Sequence, residues 1–323
     1  MKLRRVEAEG EMHCQLLAPH GWVPVRAALA RLTQTATADR RQLSTNLVSI
    51  LALPADTREK LVEAAREVDA AAEDARVVIP FEPKSFRDFM LYEAHAIAAA
   101  RGFVRQYLPA AARVVGAYES LTGRTFPMLR PHALWHRQPI YYMGNHLTVA
   151  TDGDDITMPN YTHALDYELE LGFVLAHPLI DATPQAAEAA IGGFVVLNDF
   201  SARCVQREEM ASGFGPQKAK HFRSAISSIV VSADEVLPRW RNLEGRVRLN
   251  GGLVAECSTA GARWSLGEVL AHACRGEPLQ PGELIGTGTL PGGSGIENGR
   301  LLARGDQVEI EIDGLATLAN RIV

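Results

Sequence analysis

The sequence predicts an α+β fold: a mixed, mostly antiparallel β structure with short peripheral helices, preceded by a small N-terminal domain. Three observations predict it. Runs rich in β-forming residues dominate the second half of the chain. Asn250-Gly251 and Asp313-Gly314 interrupt two of these runs as hairpin turns. The strands and helices do not alternate regularly, as they would in a doubly wound parallel sheet.

The composition excludes several classes of protein. The chain has 323 residues, 47% hydrophobic and 22% charged, which is typical of a globular protein with more than one small core. Its net charge is -5 with scattered Lys and Arg, so we expect no nucleic-acid partner. No stretch resembles a signal peptide or a membrane span, so we expect a cytoplasmic protein with no membrane partner. The widely spaced Cys14, Cys204, Cys257 and Cys274 are predicted to be free thiols.

The N-terminal domain is predicted to span residues 1–77 and the main domain residues 78–323. Residues 56–75 have an apolar stripe at helical spacing, and Asp56 with Glu59 fits a capping box. Two prolines in residues 77–86 mark the boundary.

Helix and strand signals then follow along the main domain. Thr183-Pro184 and Ser265 with Glu268 each predict the start of a helix, and Gly276 the end of the second. The β-rich runs are residues 193–200, 227–234, 246–256 and 307–318.

The stretch LDYELELGF, residues 165–173, places Asp166, Glu168 and Glu170 at alternate positions of a predicted strand, and so on one face. Either water solvates these acids, as on the wet face of an antiparallel sheet, or they bind a cation. A second strand repeats the spacing with Glu309 and Glu311. Spacing alone therefore makes neither strand a metal site, and at this point it favours acids that water solvates.

Other motifs are individually weak. His132 and His136 have a zinc spacing but no third ligand. The glycine-rich stretch 286–295 lacks the pattern of a nucleotide-binding loop and is predicted to be a mobile loop. Asp88 precedes His95 by seven residues, which places both on one face if the segment is helical.

Taken together, the segments resemble the fumarylacetoacetate hydrolase family. The resemblance covers residues 85–323 in unbroken order, with DYELELGF, NDFSAR, Gln206, Lys220 and LQPGELIGTGTLPGG as its most specific parts. It implies a mixed β-sandwich roll, a homodimer, and a divalent metal, usually Mg²⁺ and in some members Mn²⁺ or Ca²⁺. It also implies a small-molecule diketo acid as substrate.

The resemblance also assigns roles to individual residues. The implied metal ligands are Asp88, Glu168, Glu170 and Asp199. His95 matches the general base, and Glu297 the carboxylate that orients it. The residues that match carbonyl-polarising or oxyanion-stabilising positions are Arg203, Gln206 and Lys220, and those that match substrate contacts are Tyr142 and Thr289.

These matches imply hydrolytic cleavage of a carbon–carbon bond in a 1,3-diketo acid, such as an acylpyruvate or a compound like fumarylacetoacetate. Met90 and Met210 replace tyrosines of the branch that cleaves fumarylacetoacetate itself, which argues against that substrate. Two alternatives stay open at this point: a decarboxylase or tautomerase that uses the same metal site, and a catalytically silent binding protein.

Overall fold

A computed structural model describes residues 1–32, 37–71 and 75–323. The strands are β1 (Lys2–Ala8), β2 (Glu11–Ala18), β3 (Gly21–Pro24), β4 (Arg76–Val78), β5 (Phe86–Phe89), β6 (Tyr141–Gly144), β7 (Val149–Thr151), β8 (Asp155–Ile156), β9 (Leu165–Asp166), β10 (Glu168–Leu175), β11 (Ile191–Asn198), β12 (Ser201–Ala202), β13 (Ser224–Ile226), β14 (Ile229–Ser232), β15 (Glu244–Leu249), β16 (Gly252–Ser258), β17 (Leu284–Ser294), β18 (Gln307–Ile312) and β19 (Ala316–Ile322). The α-helices are α1 (Val25–Ala30), α2 (Thr37–Thr45), α3 (Leu47–Leu51), α4 (Ala55–Ala65), α5 (Glu93–Tyr107), α6 (Pro109–Thr122), α7 (Pro184–Ala189), α8 (Arg203–Ser212), α9 (Ala233–Val236), α10 (Leu266–Ala273) and α11 (Gly295–Asn298).

The strands form a large mixed sheet and a smaller mixed sheet. The large sheet has the order β3-β2-β1-β14-β11-β10-β17-β5-β6, with β4, β7 and β13 paired beside this path. The smaller sheet has the order β16-β15-β18-β19-β8, and β9 pairs separately with β12. Most pairings are antiparallel, whereas β5–β17, β7–β13 and β8–β19 are parallel. The predicted α+β fold is confirmed.

The centre of the large sheet is covered on both faces. On one face, Leu171 and Phe173 of β10 pack in a core with Val247 and Ile310 of the smaller sheet. On the other face, Val174 packs in a second core with residues of α1, α3 and α4. Every residue of β10 is therefore buried, whereas an open antiparallel sheet would leave one face wet.

The N-terminal segment joins the large sheet directly. Strand β1 pairs with β14 through Leu3 and Val230, and both residues belong to the second core. Sheet pairing and packing both cross the predicted boundary between residues 77 and 78, so they do not mark a domain division there. The division stays a prediction.

The predicted helix over residues 56–75 is shorter, and its capping box is wrong. Helix α4 begins after Pro54 and ends at Ala65, and Asp56 lies in its first turn, where it accepts a hydrogen bond from Lys60. The backbone N–H groups of residues 66–68 bond to carbonyls three residues earlier, which tightens the chain and ends the α-helix. Residues 72–74 of the prediction lie outside the described residues.

Several local predictions are confirmed. Thr183 caps α7, and Ser265 with Glu268 forms the capping box of α10. Asn250 and Gly251 both have positive φ in the β15–β16 turn, as a tight hairpin requires. The four cysteines are free. No helix within the described ranges is long and apolar enough to cross a membrane.

Candidate active site

Three buried carboxylates converge where β5, β10 and β11 lie near one another in the large sheet. Asp88 lies on β5 and Glu170 on β10, and Asp199 directly follows β11. One carboxylate oxygen from each lies within 4.8 Å of the other two. The large sheet thus places Glu170 beside two acids that are distant in sequence.

Strand β17 separates β10 from β5, and a glycine of β17 allows the acids to meet. Gly286 pairs with Asp88, and a Cβ atom at this position would lie 2.3 Å from Asp88 Oδ1 and 2.8 Å from Glu170 Oε2. The predicted mobile loop over residues 286–295 is therefore wrong, because most of this stretch belongs to β17. Its glycines allow close packing within a sheet. Composition alone does not distinguish such glycines from those of a flexible loop.

The electrostatics of the three acids fit a hard divalent cation. Burial, followed by the charge of Asp199, raises the pKa of Asp88 well above its usual range. Burial, followed by the charges of Asp88 and Asp199, does the same for Glu170. Asp88 Oδ1 has no hydrogen-bond partner within the described part of the chain. Clustered carboxylate oxygens are the donors that Mg²⁺, Mn²⁺ and Ca²⁺ take, and a cation there would offset both the repulsion and the lost hydration.

Glu168 lies beside this cluster, in contact with two cationic side chains. Its carboxylate accepts from Arg203 Nη2 at 2.7 Å and from Lys220 Nζ. Lys220 also donates to Asp199, so its ammonium group joins Glu168 to the three-acid cluster. Burial acts to raise the pKa of Glu168, but the charges of Lys220 and Arg203 outweigh it and hold that pKa well below its usual range. The role of Glu168 as a fourth metal ligand stays a prediction.

His95 and Glu297 form a second group, and His95 lies close enough to Glu168 for their charges to interact. His95 lies near the start of α5 and Glu297 on α11, and His95 Nδ1 is 3.0 Å from Glu297 Oε2. Ser294 Oγ donates to the same Glu297 oxygen at 2.7 Å, and the Gly292 N–H donates to the other at 3.1 Å. Glu297 is thus held by donors that leave it facing His95.

The idea that one helix carries both Asp88 and His95 is wrong. Asp88 lies on β5, whereas His95 lies on α5, and Met90 to Tyr92 separate the two elements. The seven-residue spacing spans the end of β5, a short connection and the start of α5. It does not reflect a shared helical face.

The remaining predicted residues surround the two groups. Tyr142 donates its hydroxyl hydrogen to Asp199 Oδ2 at 2.7 Å, and Thr289 Oγ1 donates to Glu170 Oε1 at 3.3 Å. Arg203 Nη1 donates to Gln206 Oε1 at 2.8 Å. The predicted substrate contacts therefore also touch candidate metal ligands, and Gln206 keeps its amide N–H groups for another partner.

Glu309 and Glu311, the second Glu-x-Glu pair, have a different environment. They lie on β18 opposite arginines of β15, with Glu311 3.1 Å from Arg246 and Glu309 3.6 Å from Arg248. These half-buried acids form cross-strand ion pairs with the adjacent strand. The two Glu-x-Glu motifs therefore differ in their neighbours.

Sequence reasoning missed several residues that hold the site. Glu209 accepts from three backbone N–H groups in the turn before Lys220, those of residues 217, 218 and 219. Arg105 donates to the carbonyl oxygen of Glu297 at 2.7 Å. Arg101 pairs with Glu119 through two hydrogen bonds. None of these pairs has a local sequence signal, because each joins separate elements or depends on a turn.

Comparison with known proteins identifies the family. A family model described as "Fumarylacetoacetate (FAA) hydrolase C-terminal" matches residues 115–323, well over half of the chain. The chain belongs to the fumarylacetoacetate hydrolase family. Within this family the members include hydrolases, isomerases, decarboxylases and tautomerases, so membership establishes an enzyme family without deciding the reaction.

Individual relatives illustrate that range. The chain is 27% identical over 185 residues to human "Oxaloacetate tautomerase FAHD1, mitochondrial", covering 57% of this chain and 81% of that protein. It is 28% identical over 186 residues to "Oxaloacetate tautomerase YisK" of Bacillus subtilis, covering 57% and 61%.

Solved structures share the fold along the whole chain. Fumarylacetoacetate hydrolase from Exiguobacterium antarcticum aligns with a TM-score of 0.69 at 20% identity, covering 100% of this chain and 99% of that one. Maleylpyruvate hydrolase from Sphingobium sp. SYK-6 aligns with a TM-score of 0.68 at 16% identity, with the same coverage.

Proposed function

We propose that this protein is a divalent-metal-dependent hydrolase that cleaves a carbon–carbon bond of a 1,3-diketo acid, such as an acylpyruvate or a compound like fumarylacetoacetate. The observation that carries the proposal is the contact of His95 Nδ1 with Glu297 Oε2 at 3.0 Å, beside three buried carboxylates suited to a metal. A hydrolase needs a base that activates water, and a carboxylate-oriented histidine is a suitable general base.

His95 would remove a proton from water. If Nδ1–H donates to Glu297, the other ring nitrogen, Nε2, is left without a proton and can accept one. The water oxygen adds to the distal carbonyl of the substrate, and its proton passes to His95. The carbon–carbon bond then breaks, its electron pair leaves with the α-carbon as an enolate, and a proton completes the second product.

Asp88, Glu170 and Asp199, with Glu168, would hold the cation, for which Mg²⁺ is our first choice and Mn²⁺ or Ca²⁺ are alternatives. When bound, such a cation supplies a Lewis acid for the negative charge of the departing enolate. Arg203, Gln206 and Lys220 would stabilise the oxyanion formed when water adds, since they offer charged and amide N–H donors. Tyr142 and Thr289 would contact the substrate from beside the acids.

A decarboxylase or tautomerase acting on a 2-oxo acid is the second candidate. It is favoured by the names of relatives, two of which are oxaloacetate tautomerases at 27% and 28% identity. Such a reaction uses the same metal and enolate but does not require water activation by His95. We further propose a homodimer in the cytoplasm with a small-molecule substrate, and size-exclusion chromatography with light scattering tests the dimer.

Product analysis with a His95→Ala variant tests the proposal. The wild-type protein and the variant are incubated with Mg²⁺ or Mn²⁺ and either an acylpyruvate or oxaloacetate. We expect the wild type to convert the acylpyruvate to pyruvate and a carboxylic acid, and the variant to lose about 10²-fold or more in rate while still binding Mn²⁺. Turnover of oxaloacetate with no cleavage of the acylpyruvate would favour the second candidate and contradict the first.

A further inference from the structure

Asp166 lies between the parts of the candidate site, and the proposed reaction assigns it no role. Its side chain has a relative exposure of 0%. It ends β9, which pairs with β12 immediately before Arg203. Because a buried carboxylate needs several donors to offset its lost hydration, its partners indicate which parts of the chain it joins.

The Asp166 carboxylate accepts four hydrogen bonds, two on each oxygen. Oδ1 accepts from the backbone N–H groups of Tyr167 at 2.8 Å and Gly295 at 2.7 Å. Oδ2 accepts from the backbone N–H of Ile296 at 2.8 Å and from Arg203 Nε at 2.7 Å. One side chain therefore joins the Arg203 guanidinium to the first turn of α11, the helix that carries Glu297.

Close packing holds that turn from two sides. A Cβ atom at Gly295 would lie 2.3 Å from Asp166 Oδ1. On the other side, a Cβ atom at Gly102 of α5 would lie 2.2 Å from the carbonyl oxygen of Ile296. Helix α5 also carries His95, so the turn lies between Asp166 and the helix of the proposed base.

We propose that Asp166 is a positioning residue that sets Glu297 against His95 and aligns Arg203 with the same centre. It acts through the backbone at residues 295–296 and through the Arg203 guanidinium, without touching the substrate. The kinetic part of this inference rests on the proposed function. The structural part, that Asp166 keeps the backbone of residues 292–300 ordered, does not depend on the proposed function.

An Asp166→Asn variant provides the first test. The amide nitrogen donates and cannot accept, so two of the four hydrogen bonds lose their acceptor. We expect kcat on an acylpyruvate to fall about tenfold or more and KM to change less than about threefold, because orientation and not binding is lost. We also expect faster hydrogen–deuterium exchange in residues 292–300, with Mn²⁺ affinity retained within about threefold.

A double-mutant cycle separates positioning from general destabilisation. If Asp166 acts through Glu297, Asp166→Asn should lower kcat much less in a Glu297→Gln background than in the wild type. Equal fold losses in both backgrounds, together with unchanged exchange in residues 292–300, would overturn the inference.

Gly295→Ala approaches the same turn from the backbone, where the added Cβ atom would lie 2.3 Å from both Asp166 Oδ1 and the carbonyl oxygen of Arg300. It keeps the inference testable if Asp166→Asn does not fold. Gly116→Ala on α6 is its matched control, because a Cβ atom there meets nothing within 4 Å. We expect the first variant to reproduce the kinetic and exchange effects and the second to behave as wild type. Wild-type kcat and exchange in Gly295→Ala would contradict the inference. If the wild-type protein cleaves no diketo acid, the proposed function fails, whereas hydrogen exchange still tests Asp166.

Discussion

Asp88 and Gly286 lie opposite each other in the parallel pairing of β5 with β17, and only the missing side chain of the glycine leaves room for the carboxylate. A Cβ atom at Gly286 would lie 2.3 Å from Asp88 Oδ1. The geometry of the candidate metal site thus depends on a residue that carries no ligand atom.

Gly286→Ala should therefore remove metal binding. The methyl group displaces Asp88 and Glu170 from each other, and a divalent cation needs both at a fixed distance. We expect Mn²⁺ affinity, measured by isothermal titration calorimetry, to fall at least about tenfold. Gly116→Ala, which enters open space, should bind Mn²⁺ as the wild type does. Unchanged affinity in Gly286→Ala would argue against these acids as ligands.

The stability of the metal-free protein should fall as pH rises above about 4. The unfolded pKa values of Asp and Glu are about 3.9 and 4.3, and the folded pKa values of Asp88 and Glu170 are raised by burial and by the charges of neighbouring carboxylates. Between the unfolded and folded values the native state binds more protons, so raising the pH through this window lowers the free energy of unfolding.

Thermal unfolding between pH 4 and 8, with and without Mg²⁺, measures this effect. The cation should abolish the fall or reverse it, since it favours the ionised carboxylates and binds only the folded state. Glu168 acts in the opposite direction, because its lowered pKa costs stability only as the pH falls below about 4. A metal-free protein whose melting temperature rises steadily from pH 4 to 8 would contradict the assigned clustering.

Glu297→Gln should impair catalysis and leave the metal site intact. Of the two terminal atoms of the Gln side chain, only the oxygen accepts hydrogen bonds. The neutral amide also cannot stabilise a protonated His95 as a carboxylate does. We expect kcat on a diketo acid to fall about 10²-fold, with Mn²⁺ affinity unchanged. A parallel loss of Mn²⁺ binding would show that Glu297 acts on the acid cluster instead.

Neutralising the second Glu-x-Glu pair should have little effect. Glu309→Gln with Glu311→Gln removes two partly exposed ion pairs, and solvent-screened pairs of this kind contribute little to stability. Mn²⁺ affinity and turnover should match the wild type, and denaturant unfolding should report only a small loss. A large loss of metal affinity would mean that sequence spacing, and not surroundings, defines the site.

Local signals predicted much of the fold. The caps at Thr183 and Ser265 and the hairpin at Asn250-Gly251 depend on residues within a few positions of each other, and each was confirmed. Predictions failed where packing decides the conformation. Residues 286–295 have the composition of a loop. Most of them nevertheless form part of β17, because β10 and β5 pair with that strand on its two sides.

The candidate site divides in the same way. Family motifs brought Asp88, Glu170, Asp199, His95 and Glu297 together from the sequence. The structure clusters the first three and places His95 against Glu297. The partners of Asp166 and Glu209 could not be predicted, because most of them are backbone N–H groups, which every residue except proline has.

The sequence by itself determined which chemical groups this protein has and where its strands and caps begin. Alternation along residues 165–173 set the acids apart from the apolar residues, since side chains of a strand point to opposite faces. Only the tertiary structure decided that Asp166 would support a turn, Glu168 would meet two cations and Glu170 would join a carboxylate cluster. The environment of a buried charge depends on residues brought in from elsewhere in the chain, and short-range sequence patterns do not contain that information.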